Sequence, residues 1–291
     1  MAVDSRPMKV EVKQAGLAES GAELVAVGHF EGAELPAPVA AASGADEAKA
    51  GFRKLSLLRP ADFPPVLIVG LGERDQIDGE RLRVAAAIVA KEAARLEATS
   101  LAWGLPDGDD LAAEAEALVT GTILASYRFD RFKSGGEDED APRHLEALTL
   151  LGPAEAERPA EMARIAAEAQ NRARDLQTTP ANFATPAFLA ERAEEIAAAS
   201  DAITAEVLGR PELEEKKMGG LLAVSQGGPQ EPKLIVLRYS GGGSGQTLGL
   251  VGKGVTFDSG GISIKPSQAM HEMRMDMSGA AAVVEAMGAI A

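Results

Sequence analysis

Short apolar runs alternate with longer segments of helical periodicity along the first 150 residues. Residues Pro65 to Gly70 form a continuous apolar run that ends in glycine, typical of a strand buried on both faces. From Arg81 to Ala98, apolar residues recur at helical spacing with basic residues between them. The same alternation predicts a second helix at 111–127 and further strands at 23–27, 54–58, 101–104 and 148–151. The pattern therefore predicts an α/β fold with a mainly parallel sheet.

Two glycines at the end of the first apolar run resemble the start of a dinucleotide-binding loop. Gly70 and Gly72 fit the first half of Gly-x-Gly-x-x-Gly, but Asp75 stands where the third glycine is required. We therefore interpret the two glycines as a structural turn.

Polar and proline-containing stretches suggest how the chain is organised. Residues 133–143 contain Ser-Gly-Gly, four acidic residues and a proline, which predicts an exposed loop within a first domain. Residues 152–159 have the composition of a linker. We therefore predict an N-terminal domain at 1–157 and a second domain at 158–291.

The second domain opens with a predicted helix at 161–176, and Thr185-Pro186 caps a second helix that runs to about residue 199. A strand is predicted at 202–208. Further apolar runs lie at 221–224, 233–239 and 248–251, and the last is predicted to be a buried strand.

Composition excludes several functional classes. The chain has 291 residues and no cysteine, which rules out disulfides, thiol nucleophiles and Cys-ligated zinc and is consistent with a reducing compartment. The net charge of -15 repels nucleic-acid phosphates, so we do not expect a nucleic-acid partner. No apolar stretch approaches membrane-spanning length, and residues 1–14 lack the apolar region of a secretory signal, so we expect no membrane segment and a cytoplasmic location.

The most informative segment, residues 252–279, follows the last apolar run and contains five glycines. A phosphate-binding Walker loop is excluded, because Thr247 replaces its first glycine and Gly254 replaces its Ser or Thr. A histidine-based metal site is not favoured either, since His29, His144 and His271 are scattered, and we expect His271 to be an ordinary surface residue.

Four charged residues remain in this segment: Lys253, Asp258, Lys265 and Asp276. Carboxylates are suitable ligands for divalent metals, and a nearby dication together with burial can lower a lysine pKa enough to free its lone pair. The alternative is that all four are surface charges. Flanking glycines, which let a backbone approach a ligand closely, favour a binding site.

The string from Gly252 to Gly261, together with residues 273–281, closely resembles the leucyl aminopeptidase family of metallopeptidases, also called cytosol aminopeptidases. Residues 121–133 and 171–186 resemble further stretches of this family, and 221–227 with 232–239 resemble its central strands. The resemblance implies a macro-domain-like N-terminal α/β domain followed by an α/β metallopeptidase catalytic domain.

The resemblance also implies roles for individual residues. Lys253 and Asp276 would bind one metal ion, Asp258 would bridge two, and Lys265 would be catalytic and act on the substrate. Met273 would line the pocket for the N-terminal side chain, unless it is simply a core residue. The implied cofactors are two divalent ions, Mn or Zn, and the implied reaction releases N-terminal amino acids, with a leucine-type preference, from peptide substrates.

The sequence departs from the family in one respect. The family completes its metal site with a later Asn-Thr-Asp-Ala-Glu-Gly-Arg motif, which is absent here. We therefore expect an incomplete catalytic domain, truncated before that motif, and little or no activity from this polypeptide alone. The resemblance implies a homo-hexamer for the full-length form. The alternative function is a non-catalytic binding or assembly module.

Overall fold

The computed structural model describes residues 7–106, 110–133 and 143–291. It divides into two compact units, which we call the N-terminal unit (Ser5–Glu168) and the C-terminal unit (Ala169–Ala291). The predicted exposed loop at 133–143 lies, from residue 134 to 142, outside the described residues.

The N-terminal unit is built on a six-stranded sheet of order β1-β6-β5-β2-β4-β3. All neighbouring strands pair in parallel except β3, which is antiparallel to β4. This confirms the predicted α/β class with a mainly parallel sheet. The strands are β1 (Lys9–Lys13), β2 (Leu24–Phe30), β3 (Leu55–Leu58), β4 (Val66–Gly72), β5 (Ser100–Gly104) and β6 (Ala147–Leu151). Helices α1 (Ala37–Ala40), α2 (Gly79–Arg95) and α3 (Leu111–Ala125) connect them, with short 3-10 turns between.

Strand β4 lies between β2 and the edge strand β3, and all of its residues are buried. Helix α2 begins where the Asp78 side chain accepts a hydrogen bond from the Arg81 backbone N–H at 2.7 Å, and its apolar face packs in the same core as Trp103 of β5. Strand β1 was not predicted from the sequence. It is an edge strand whose outward side chains are charged, with Glu11 paired to Lys13 at 2.7 Å, so its sequence reads as polar.

The two glycines at the end of β4 have a structural role. A Cβ atom on Gly70 would lie 2.1 Å from the backbone oxygen of Gly51, and Gly72 has a φ of 78°. The Arg53 N–H donates to the Gly70 oxygen at 3.0 Å, so residues 50–54 pass directly over this site. The pair therefore has a structural role, although both glycines lie within strand β4 and do not form a turn.

The C-terminal unit contains a two-stranded antiparallel sheet and several helices. The Thr185 hydroxyl accepts a hydrogen bond from the Phe188 N–H at 3.3 Å, which confirms the predicted helix cap. The elements are α4 (Glu157–Thr178, which begins in the N-terminal unit), α5 (Pro186–Ala198), β7 (Ile203–Leu208), α6 (Arg210–Glu215), α7 (Gly219–Ser225), β8 (Leu234–Tyr239), a 3-10 segment (Met270–Met277) and α8 (Ser278–Ile290).

Two of the predicted strand segments in this unit are wrong. Residues 221–224 lie in helix α7, since a four-residue apolar run does not distinguish a helix from a strand by its periodicity. Residues 248–251 adopt no regular secondary structure, and Leu248 and Val251 are 83% and 98% exposed. Among the described residues no strand pairs with this run, so its backbone and apolar side chains stay in contact with solvent.

Within the described residues, no helix combines the length and the apolar character that crossing a membrane requires.

Candidate active site

The glycine-rich segment returns on itself because two of its glycines allow close backbone contact. A Cβ atom on Gly252 would lie 2.3 Å from the backbone oxygen of Gly279, which no other residue could accommodate without movement. Beside this contact, the Ala280 N–H donates to the Lys253 oxygen at 2.8 Å. The backbone of Lys253 is therefore held against the first turn of α8.

This contact brings together two of the predicted metal ligands. Asp276 lies in the 3-10 segment immediately before α8, and its carboxylate forms an ion pair with the Lys253 ammonium. The Lys253 side chain is 58% exposed and the Asp276 side chain 24% exposed, so solvent and ligands can reach both.

A second tight turn brings Asp258 beside Lys265. Gly260 has a φ of 87°, in the left-handed region, and a Cβ atom there would lie 2.4 Å from the Ser263 oxygen. The turn is closed by a hydrogen bond from the Lys265 N–H to the Ser259 oxygen at 2.9 Å. Lys265 Nζ consequently lies 2.7 Å from Asp258 Oδ2, and Asp258 Oδ1 accepts from the Gly260 N–H at 2.9 Å.

The electrostatics of Asp258 connect the two pairs. The hydrogen bond from Lys265 lowers the pKa of this carboxyl most, and the Gly260 N–H and the charges of Lys265 and Lys253 lower it further. Asp258 is therefore an anion at neutral pH. Because the charge of Lys253 acts on Asp258, the two ion pairs share one electrostatic environment.

Met273 lies beside Lys265. Its sulfur is 3.0 Å from Lys265 Nζ, and its side chain is partly buried. The five residues singled out in the sequence thus form two contacting groups, Lys253 with Asp276 and Asp258 with Lys265 and Met273. Their roles as metal ligands, catalytic residue and pocket residue stay predictions.

The donor set has the right chemistry for part of a divalent-metal site, with two carboxylates and one amine. These three donors are too few to complete a metal site, since even a tetrahedral metal takes about four ligands. Over residues 7–106, 110–133 and 143–291, no group of three or more His, Asp or Glu side chains is placed to hold a metal ion. His271 is exposed, as expected.

Sequence reasoning missed the residues that support this site. The Ser278 hydroxyl donates to Gln177 Oε1 at 2.9 Å, which joins the start of α8 to α4. Glu285 of α8 is buried between two arginines. The signal that could have revealed it is its position as the single charged residue in the apolar stretch 278–290.

Comparison with known protein families bears on what this arrangement does. A model described as "Cytosol aminopeptidase family, catalytic domain" matches residues 171–291, which include the whole candidate site. A second model, for the N-terminal domain of the same family, matches residues 39–136. The chain belongs to the cytosol aminopeptidase family.

Curated members of the cytosol aminopeptidase family align with nearly the whole chain. A probable cytosol aminopeptidase of Roseiflexus castenholzii is 40% identical over 294 residues, which cover 98% of this chain and 60% of the relative. One from Geobacter sp. (strain M21) is 43% identical over 244 residues, covering 81% of this chain and 48% of the relative. The chain thus spans about half to three fifths of the length of these relatives.

Solved structures support the same family assignment. A mutant of tomato leucine aminopeptidase superposes with a TM-score of 0.81 at 28% identity, covering 100% of this chain and 60% of that protein. The bottromycin maturation enzyme BotP, in complex with Mn, gives a TM-score of 0.76 at 33% identity, covering 93% of this chain and 56% of BotP. The two-domain α/β organisation of the cytosol aminopeptidase family therefore applies to this chain.

Proposed function

We propose that this chain is part of a metal-dependent aminopeptidase that releases N-terminal amino acids, with a leucine-type preference, from peptides. The observation that carries the proposal is the pairing of Lys253 with Asp276 and of Asp258 with Lys265, both within the region that matches the family's catalytic domain. The two curated relatives described above are both named as probable cytosol aminopeptidases, which supports the same reaction.

In this proposal Lys253 and Asp276 would hold one divalent ion, and Asp258 would help to hold two. Either Mn or Zn suits carboxylate ligands, and the BotP complex with Mn supports manganese. When bound, two such ions supply Lewis-acid chemistry and lower the pKa of a water molecule.

Lys265 is proposed to act on the substrate. Its ammonium is held between Asp258 Oδ2 at 2.7 Å and the Met273 sulfur at 3.0 Å, which fixes its direction before a substrate arrives. A fixed cation at this point can stabilise the negative charge that develops on the oxygen of the scissile carbonyl. Met273, beside it, would line the pocket for the N-terminal side chain of the peptide.

We also propose the larger organisation that the family resemblance implies. Residues 1–157 and 158–291 would be the two domains, and the whole protein would act in the cytoplasm as a homo-hexamer. The name shared by the relatives, cytosol aminopeptidase, supports the proposed location.

Release of a chromogenic amine from a leucine derivative tests the proposal, with the whole protein assayed before and after metal removal. We expect activity that depends on Mn or Zn and that falls by about a hundredfold or more in Lys265→Ala, because one positioned donor to an oxyanion contributes roughly that much. Lys216→Ala is the matched control, since Lys216 is an exposed residue outside the site.

Turnover in Lys265→Ala within about threefold of the unchanged protein, below about 1 kcal/mol of barrier, would refute the catalytic role. Absence of any metal-dependent hydrolysis by the unchanged protein would favour the non-catalytic binding or assembly module instead.

A further inference from the structure

A buried ion cluster lies inside the C-terminal unit and includes a residue of α8, the helix whose first turn carries part of the candidate site. Glu285 is the single charged residue of α8, and it is 1% exposed. Arg192 Nε lies 2.6 Å from Glu285 Oε1 and Arg192 Nη2 lies 3.0 Å from Oε2, a two-point contact. Arg172 Nε donates to Glu285 Oε2 at 2.9 Å.

The cluster is balanced in charge. Arg192 also contacts Glu195 Oε2 at 3.0 Å, so two carboxylates face two guanidinium groups. The hydrogen bonds that Arg192 donates to Glu285 raise the pKa of Arg192 above its usual range. Removal of Glu285 would leave two cations without their buried partner, a strongly unfavourable change in a low-dielectric interior.

The cluster constrains α8 in a way that the apolar packing does not. Arg172 belongs to α4 and Arg192 to α5, so Glu285 ties α8 to both helices through directional bonds. The neighbouring apolar contacts, among them Leu189 with Ala281, are non-directional and would tolerate a slide along the helix axis.

The position of α8 along its axis matters because its first turn carries the candidate site. Asp276 lies immediately before the helix, and the Ala280 N–H donates to the Lys253 oxygen at 2.8 Å. A shift of α8 would move Asp276 and the docking point of Lys253 together, away from the separate turn that holds Asp258.

We propose that Glu285 is a positioning residue, whose buried bonds to Arg172 and Arg192 hold the first turn of α8 where Lys253 and Asp276 meet. Metal binding by Lys253 and Asp276 rests on the proposed function. The backbone contact of Lys253 with α8 is independent of that function.

Amide hydrogen exchange at Ala280 in the metal-free chain is the test, because this N–H is bonded to Lys253. In Glu285→Gln we expect exchange at Ala280 to rise about tenfold or more, since local opening becomes easier once α8 loses its anchor. Two control variants should change the exchange rate at Ala280 by less than about twofold. Glu206→Gln removes an exposed ion pair with Arg238, and Ile196→Val lowers the stability of the α5–α8 packing without touching the cluster.

Mn affinity, followed by electron paramagnetic resonance at a temperature where circular dichroism shows every variant folded, is the second measurement. We expect Glu285→Gln to bind Mn about tenfold more weakly than the unchanged chain, as for other residues that orient ligands, and Ile196→Val to bind it equally. A role in stability alone would lower the thermal midpoint of Glu285→Gln and leave both readouts as in Ile196→Val.

Unchanged exchange at Ala280 in folded Glu285→Gln would overturn the proposal. Failure of the unchanged chain to bind Mn would count against the proposed function only, because the exchange measurement stands without metal. If Glu285→Gln does not fold, Arg172→Met serves in its place, since it leaves the two-point contact with Arg192. Arg172→Met should then raise the amide exchange rate at Ala280 by less than the tenfold expected for Glu285→Gln. An unchanged exchange rate in Arg172→Met would overturn the proposal.

Discussion

Two apolar runs of similar sequence differ in secondary structure and in burial, one in each unit. Val66–Gly72 of the N-terminal unit becomes the fully buried strand β4, whereas residues 248–252 of the C-terminal unit stay irregular and largely exposed. The first run has β2 on one side and β3 on the other, and the second has no strand partner among the described residues. Burial of an apolar run therefore depends on the strands that pair with it, in addition to its own hydrophobicity.

The glycines of the two regions differ in the same instructive way. Gly70 of β4 admits the backbone of Gly51, and the result is packing of one strand against a crossing segment. Gly252 admits the backbone of Gly279, and the result is the approach of two charged side chains, Lys253 and Asp276. Close backbone contact serves the fold in the first case and assembles a candidate site in the second.

Truncation of one leucine in each run should give the largest contrast. Leu67 is 0% exposed, so Leu67→Ala should lower the free energy of unfolding by about 3 kcal/mol or more through lost burial and a cavity. Leu248 is 83% exposed, and Leu248→Ala should change it by less than about 0.5 kcal/mol. Urea titration of both variants measures this difference, and equal losses would contradict the exposed placement of residues 248–251.

Removal of the Asp258 carboxylate should have the next largest effect. We expect Asp258→Ala to weaken the binding of Mn by about tenfold to a hundredfold, or roughly 1.4–2.7 kcal/mol, since a shared ligand would be lost. Elemental analysis after gel filtration measures the bound metal. Ser263→Ala, in the same segment, is the control, and full metal content in Asp258→Ala would exclude the ligand role.

A methyl group on Gly252 should disturb the site more than the stability of the unit. Gly252→Ala places a Cβ 2.3 Å from the Gly279 oxygen, so Lys253 must move away from Asp276, at about 1–2 kcal/mol. Gly249→Ala is matched to it, because nothing lies within 4 Å of a Cβ there. We expect Gly252→Ala to differ from Gly249→Ala when Mn affinity and urea unfolding are measured for both variants. Identical results for the two variants would show that the site does not need the contact between Gly252 and Gly279.

The smallest predicted effect concerns pH and the N-terminal unit. The Thr99 N–H, 2.7 Å away, and then Arg143, 2.8 Å away, lower the pKa of Glu23 from its usual 4.5. A carboxyl whose folded pKa is lowered stabilises the fold above the unfolded pKa, and this contribution is lost as the pH falls through the folded pKa.

Glu23→Gln should therefore lower stability by less than about 1 kcal/mol at pH 7 and by progressively less below pH 4.5. Thermal unfolding of this variant and of Glu116→Gln, which alters an exposed residue of α3, measures the difference between pH 7 and pH 3. A loss of stability in Glu23→Gln that is larger at pH 3 than at pH 7 would contradict this prediction.

Features that depend on local pattern could be predicted from the amino-acid sequence. The alternation of strands and helices predicted the parallel sheet, Thr185 predicted the start of α5, and the string from Gly252 to Gly261 led to the family that the comparisons confirm. These inferences succeed because periodicity, caps and dense motifs are properties of consecutive residues.

Features that depend on residues far apart in the chain could be seen only in the folded structure. The exposure of residues 248–251, the contact between Lys253 and Asp276 across 23 positions, and the burial of Glu285 between Arg172 and Arg192 all required the folded chain. A side chain's exposure and its ion pairs are set by whichever remote segment packs against it, and no local pattern specifies that segment.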